Sequence, residues 1–104
     1  MTARRVKTGW SNAVLVCRKC SKKLKGGGFG PDGDKPLAKA LRKHLQLGKG
    51  RKSGAGILEV GCLDVCPKRA VTVIDTRHPD QWLIVRPAAN LDVLAHELGL
   101  KGTH

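Results

Sequence analysis

The chain has 104 residues, 40% of them apolar but only three aromatic (Trp10, Phe29 and Trp82), and a formal net charge of +12. That length allows one small domain with a core of Leu, Val, Ile and Ala and excludes two independently folding units. Its apolar runs fall far short of the roughly 18 residues of a membrane span, and the start M-T-A-R-R-V-K-T-G-W has no apolar signal core, so a cytoplasmic protein is expected.

Residues 1–11 are basic and polar and read as a flexible N-terminal arm able to dock through Trp10, leaving residues 12–104 as the folded domain. Ala13 to Val16 is a short β-branched run, too short for a helix, that delivers Cys17 to its end as a first strand. After Cys20 comes S-K-K-L-K-G-G-G-F-G-P-D-G-D-K, where five glycines and a proline within eight positions predict a flexible loop without regular structure. Its three consecutive glycines suit close approach of backbone N–H groups to an anion, although no P-loop spacing follows.

A helix is predicted from near Asp34, with Asp34 favouring its positive end and Pro36 in the first turn, to about Leu47 before Gly48. Leu37, Ala40, Leu41 and Leu45 form its buried stripe, and His44 lies at the stripe edge as a structural residue. A second basic glycine-rich loop, G-K-G-R-K-S-G-A-G, leads to a strand at Ile57 to Val60 that ends at Gly61 and Cys62. Strand, helix and strand make a βαβ unit, whose right-handed crossover brings both strand ends to one edge and so lets Cys17 and Cys62 meet. Ala70 to Ile74 and Trp82 to Val85 follow as an antiparallel hairpin, and Asn90 caps a last helix from Leu91 to Leu98, stopped by Gly99. The order β-α-β-β-β-α predicts an α/β fold: one mixed four-stranded sheet with two helices on it.

The charge is lopsided. Residues 1–52 hold 15 Lys or Arg against Asp32 and Asp34, a charge of +13, whereas residues 53–104 hold five against six. Such a field attracts an acidic partner and lowers the cost of holding an anionic centre.

Four cysteines form two pairs, Cys17 with Cys20 and Cys62 with Cys66. In a reducing cytosol, short paired spacings point to metal ligands or catalytic thiols rather than structural disulfides. Cys-x2-Cys is a usual zinc knuckle, Cys-x3-Cys has a wider bite, and a 2Fe-2S cluster also takes four thiolates, so spacing admits either centre. Arg18, Lys19, Lys22, Lys23, Lys68 and Arg69 flank the pairs and would favour either anionic centre.

The stretch V-G-C-L-D-V-C-P-K-R-A-V-T-V-I, followed by Q-W-L-I-V and a capped final helix, resembles the thioredoxin-like 2Fe-2S ferredoxins, a module also seen in the cluster-bearing small subunit of respiratory NADH dehydrogenase. The resemblance covers residues 12–98 and is most specific at 60–74. It implies a thioredoxin-like fold, one 2Fe-2S cluster on Cys17, Cys20, Cys62 and Cys66, and electron transfer without catalysis. In that family the first two ligands are usually more widely spaced, and Asp64 stands where a small residue is common. A cluster beyond the reach of Cys20 would lack a ligand, and zinc would then be favoured. Ferredoxins of this kind often pair as dimers, so a homodimer is one form open to the chain.

Three readings follow. The first is an electron carrier with a 2Fe-2S cluster and an acidic redox partner. The second is a zinc-stapled binding module with a basic surface; nucleic acid is disfavoured as its partner by the scarcity of aromatic rings. The third is a thiol oxidoreductase using Cys17 and Cys20, which the glycine-rich loop opposes by leaving no room for a helix to begin at Cys20. His44, His78, His96 and His104 offer no hydrolytic constellation, and no enzymatic activity is expected.

Overall fold

The computed structural model describes residues 3–24, 26–46, 54–65 and 67–100. Cys66, His104, Leu47, Gly48 and most of the second glycine-rich loop lie outside the described residues.

The sheet is built around A-V-L-V-C, strand β1 (Ala13–Cys17), whose β-branched residues suit a pleated and buried position. It pairs in parallel with β2 (Gly56–Val60), Cys17 lying opposite Val60, and antiparallel with β3 (Val71–Asp75). β4 (Leu83–Val85) adds to β3 as the predicted antiparallel hairpin, giving the order β2-β1-β3-β4. The protein is thus α/β with a mixed four-stranded sheet, as expected.

Among the described residues three helices accompany the sheet rather than the two predicted: α1 (Arg18–Lys23), α2 (Leu37–Leu45) and α3 (Leu91–Glu97). α2 buries Leu37, Ala40, Leu41 and Leu45, the predicted stripe. Its start differs from expectation, because Pro36 is the N-cap and no side chain caps it, while Asp34 bonds Lys35 instead. Gln46, at φ 54°, ends it before the expected Gly48. α3 begins as predicted, the Asn90 side chain accepting from the Asp92 and Val93 amides, and stops before Gly99 at φ 66°. His44 Nε2 lies 2.6 Å from Asp92 Oδ1, tying α2 to α3.

Strand alternation and register place Val14, Val16, Val71, Val73, Val85 and Ile57 on one face of the sheet, and these share a single core with the apolar residues of α2 and α3. Each such Val or Leu contributes about 1.5–3 kcal/mol by leaving water. On the opposite face Leu58 and Ile84 stay exposed. There the arm docks: a Cβ at Gly56 would fall 2.5 Å from the Trp10 ring, so the indole lies where any side chain at 56 would stand.

Residues 27–35 of the first glycine-rich loop are pinned by backbone hydrogen bonds, where an irregular stretch was expected. Phe29 is fully buried and pairs with Lys35, its amide donating to the Lys35 carbonyl at 3.0 Å and its carbonyl accepting from the Lys35 amide at 3.0 Å. Gly27 and Gly28 spend their N–H groups on Leu24 and Gly33 carbonyls, so these amides do not form the anion cradle the glycine run suggested.

Candidate metal centre

The chain leaves β1 at Cys17 and turns at once into α1, with Cys17 as its N-cap: the Sγ accepts from the Cys20 amide at 3.5 Å. Ser21 Oγ donates back to the Cys17 carbonyl at 3.1 Å, closing the turn. The chain is therefore helical for six residues after Cys17, which takes in the first residues of the stretch after Cys20 expected to be irregular, and a helix does begin before Cys20. R-K-C-S-K-K has no apolar period to announce a helix; the cap, the Ser21 bond and burial of Cys20 hold it.

Parallel pairing sets Cys17 beside Val60, so the residues after β2 pass over the end of β1. The Leu63 amide lies close enough to the Cys17 sulfur to lower the pKa of its thiol. Cys20 Sγ lies 3.8 Å from the Val65 carbonyl, which also accepts from the buried Thr72 hydroxyl at 2.8 Å. Cys62 is exposed, its Sγ accepting from the Asp64 amide at 3.4 Å, and Asp64 itself sits at φ 65°. Cys17 and Cys20 thus both lie against the loop at residues 62–65 that carries Cys62. Among the described residues, however, no three Cys, His, Asp or Glu side chains gather closely enough to hold a metal, and Cys66 lies outside those residues.

Burial raises the Cys17 thiol, but the amides of Cys20 and Leu63, the Cys20 thiol and the Lys19 amide outweigh it, leaving Cys17 more acidic than an ordinary cysteine. Donors drawn from two separate stretches of chain thus stabilise a sulfur anion at a site with no exposed surface. Such a sulfur fits a thiolate ligand. It suits a thioredoxin-type nucleophile poorly, because Cys17 is 0% and Cys20 2% exposed, and an attacking thiolate must reach a substrate disulfide.

Arg18, Lys19, Lys22, Lys23, Lys68 and Arg69 are all exposed around the ends of this site. The histidines sit elsewhere: His44 on α2, His78 in the β3–β4 turn and His96 on α3. Sequence reasoning did not find Thr72, Leu63 or Val65 as parts of the site. Thr72 left one sign, a single hydroxyl within the apolar run V-T-V-I; the other two act through backbone groups, which side-chain identity does not reveal.

Comparison with protein-family models, with curated proteins and with solved structures finds no match to this chain.

Proposed function

We propose that this protein is a cytoplasmic electron carrier of thioredoxin-like arrangement, holding one 2Fe-2S cluster on Cys17, Cys20, Cys62 and Cys66. The observation that supports this most is the Cys17 sulfur, buried, hydrogen-bonded by the Cys20 amide and made more acidic by amides from both cysteine stretches. When bound, the cluster would supply a one-electron redox couple. The chain's own contribution is to make the first sulfur more acidic and keep it dry, and to hold the second loop over it through the Thr72 bond to Val65. N–H groups directed at thiolate and the nearby cations Arg18 and Lys19 stabilise added negative charge and so raise the potential. The basic half then serves to steer an acidic redox partner, with a transfer rate that falls as salt rises.

Anaerobically purified protein should be brown, contain about two iron and two sulfide per chain, and give an electron paramagnetic resonance signal when reduced. A colourless protein with one zinc, unchanged by cluster reconstitution, would overturn this reading and establish the zinc-stapled module in its place.

A further inference from the structure

One edge of the sheet is closed and the other is bare. At the β2 edge, Arg42 donates to the Ile57 carbonyl at 2.6 Å and Arg18 to the Glu59 carbonyl at 3.3 Å, so guanidinium groups occupy alternate backbone acceptors and block strand addition. At the β4 edge, among the described residues, the backbone of Leu83–Val85 is bonded only through its ladder to β3. Its outward N–H and C=O groups are open to a further strand. Beside them a groove of about 370 Å³ runs between β4 and α3, with Leu83, Val85, Val93 and Leu94 in its walls and Val93 58% exposed.

The groove carries opposite charges at its two ends. Arg86 follows the last residue of β4, and the short connection to Leu91 returns α3 antiparallel to the strand, so Glu97 stands by the β3–β4 turn. Arg77 Nη2 bonds the Glu97 carbonyl at 3.3 Å, but the Arg77 charge is taken by the Asp75 carboxylate at 2.7 Å. Among the described residues, neither the Arg86 guanidinium nor the Glu97 carboxylate has a hydrogen-bond or ion-pair partner, and both side chains are exposed. An apolar hollow along a bare strand edge thus has an unpaired cation at one end and an unpaired anion at the other.

We infer that the β4 edge takes an extended segment of a partner protein as a fifth strand, acidic at its N-terminal end and basic at its C-terminal end. Antiparallel pairing, the more stable form, sets the first end at Arg86 and the second at Glu97. Leu83 and Val85 pair with Val73 and Val71 on the core face, so the segment residues opposite them enter the groove and are apolar. The residue opposite Ile84 points to the other face and is unrestricted. The recognised pattern is therefore acidic, apolar, any, apolar, any, basic. A second copy of the chain does not fill the groove: two-fold pairing of β4 sets hollow against hollow and joins two chains of charge +12. This docking site does not depend on what the cysteines bind.

Titration of isotope-labelled full-length protein with the end-capped peptide Glu-Val-Thr-Val-Thr-Lys, followed by amide chemical shifts, tests it. Binding should saturate, with the largest shifts at Leu83–Arg86 and along α3. The Arg86→Glu/Glu97→Arg variant should bind this peptide about tenfold more weakly and regain affinity for the charge-exchanged peptide Lys-Val-Thr-Val-Thr-Glu, because both end pairs change sign together. Of two further peptides, N-methylated at both valines or at both threonines, one should lose binding and the other keep it, since only alternate residues of an added strand bond β4. Arg86 and Glu97 are exposed, so circular dichroism of the variant should match wild type. Absence of saturable binding, or shifts confined to other elements, would overturn the inference. So would a variant that does not exchange its peptide preference, an equal response to the two N-methylated peptides, or self-association through β4 that excludes the peptide.

Discussion

Cys20 and Thr72 meet at a single atom: the Val65 carbonyl oxygen lies 3.8 Å from the Cys20 sulfur and 2.8 Å from the Thr72 hydroxyl. The second cysteine loop is thereby fastened both to the helix that carries Cys20 and to the sheet. Thr72→Val keeps the shape of the side chain and removes the stronger bond. It should cost about 1 kcal/mol in chemical denaturation, and amide exchange should accelerate in the loop at residues 62–65 more than in β1.

The cysteines give the most direct set of variants. Cys17→Ser, Cys20→Ser, Cys62→Ser and Cys66→Ser should each abolish stable iron and sulfide incorporation, read by absorption and metal analysis. Cys20→Ser is the most informative, since the Cys17 spacing to it is narrower than the resemblance leads one to expect. Full cluster content in that variant would remove Cys20 from the ligand set.

Acid sensitivity should come from Asp75. Burial raises its carboxyl, but hydrogen bonds from the Arg77 guanidinium and amide and from Asn12, with the Arg77 charge, more than offset this and hold it below the ordinary carboxylate range. A carboxyl lowered by folding stabilises fully above its unfolded pKa, and that contribution disappears as pH falls through the folded value. Stability should therefore decline in strongly acid solution. Asp75→Asn should lose about 2 kcal/mol near neutral pH and show a flatter acid limb in a thermal-melt series.

Two backbone positions should respond with opposite signs. Gly27 has φ 91°, and a Cβ there would stand 2.6 Å from the Lys35 nitrogen, so Gly27→Ala should cost about 2–3 kcal/mol. Ala88 has φ 64°, with its amide fixed to the Gly28 carbonyl at 2.8 Å. Relief of left-handed strain there exceeds the added chain entropy of glycine, and Ala88→Gly should stabilise by about 0.5 kcal/mol. Denaturant melts of both variants check the pair.

The sequence by itself determined the four strands, the two longer helices and the βαβ order, because β-branched runs and the Leu37–Ala40–Leu41–Leu45 period are local properties of the chain. It also placed Cys17 and Cys62 at neighbouring strand ends, since parallel pairing through a crossover leaves little choice. Asn90 was legible as a cap for the same reason: its partners are two and three residues away. Only the tertiary structure decided the rest. α1 has no apolar period and exists because Cys20 is buried and Ser21 and Cys17 bond across its first turn. The glycine-rich loop is fixed by Phe29 entering a core made by other elements, which no local pattern can announce. The acidity of Cys17 comes first from the Cys20 amide, a near neighbour, and then from the Leu63 amide, a backbone group 46 positions away that carries no signature of its own in the sequence. What side chains do to their near neighbours is written locally; what backbone groups do across the fold exists only once the sheet has brought them together.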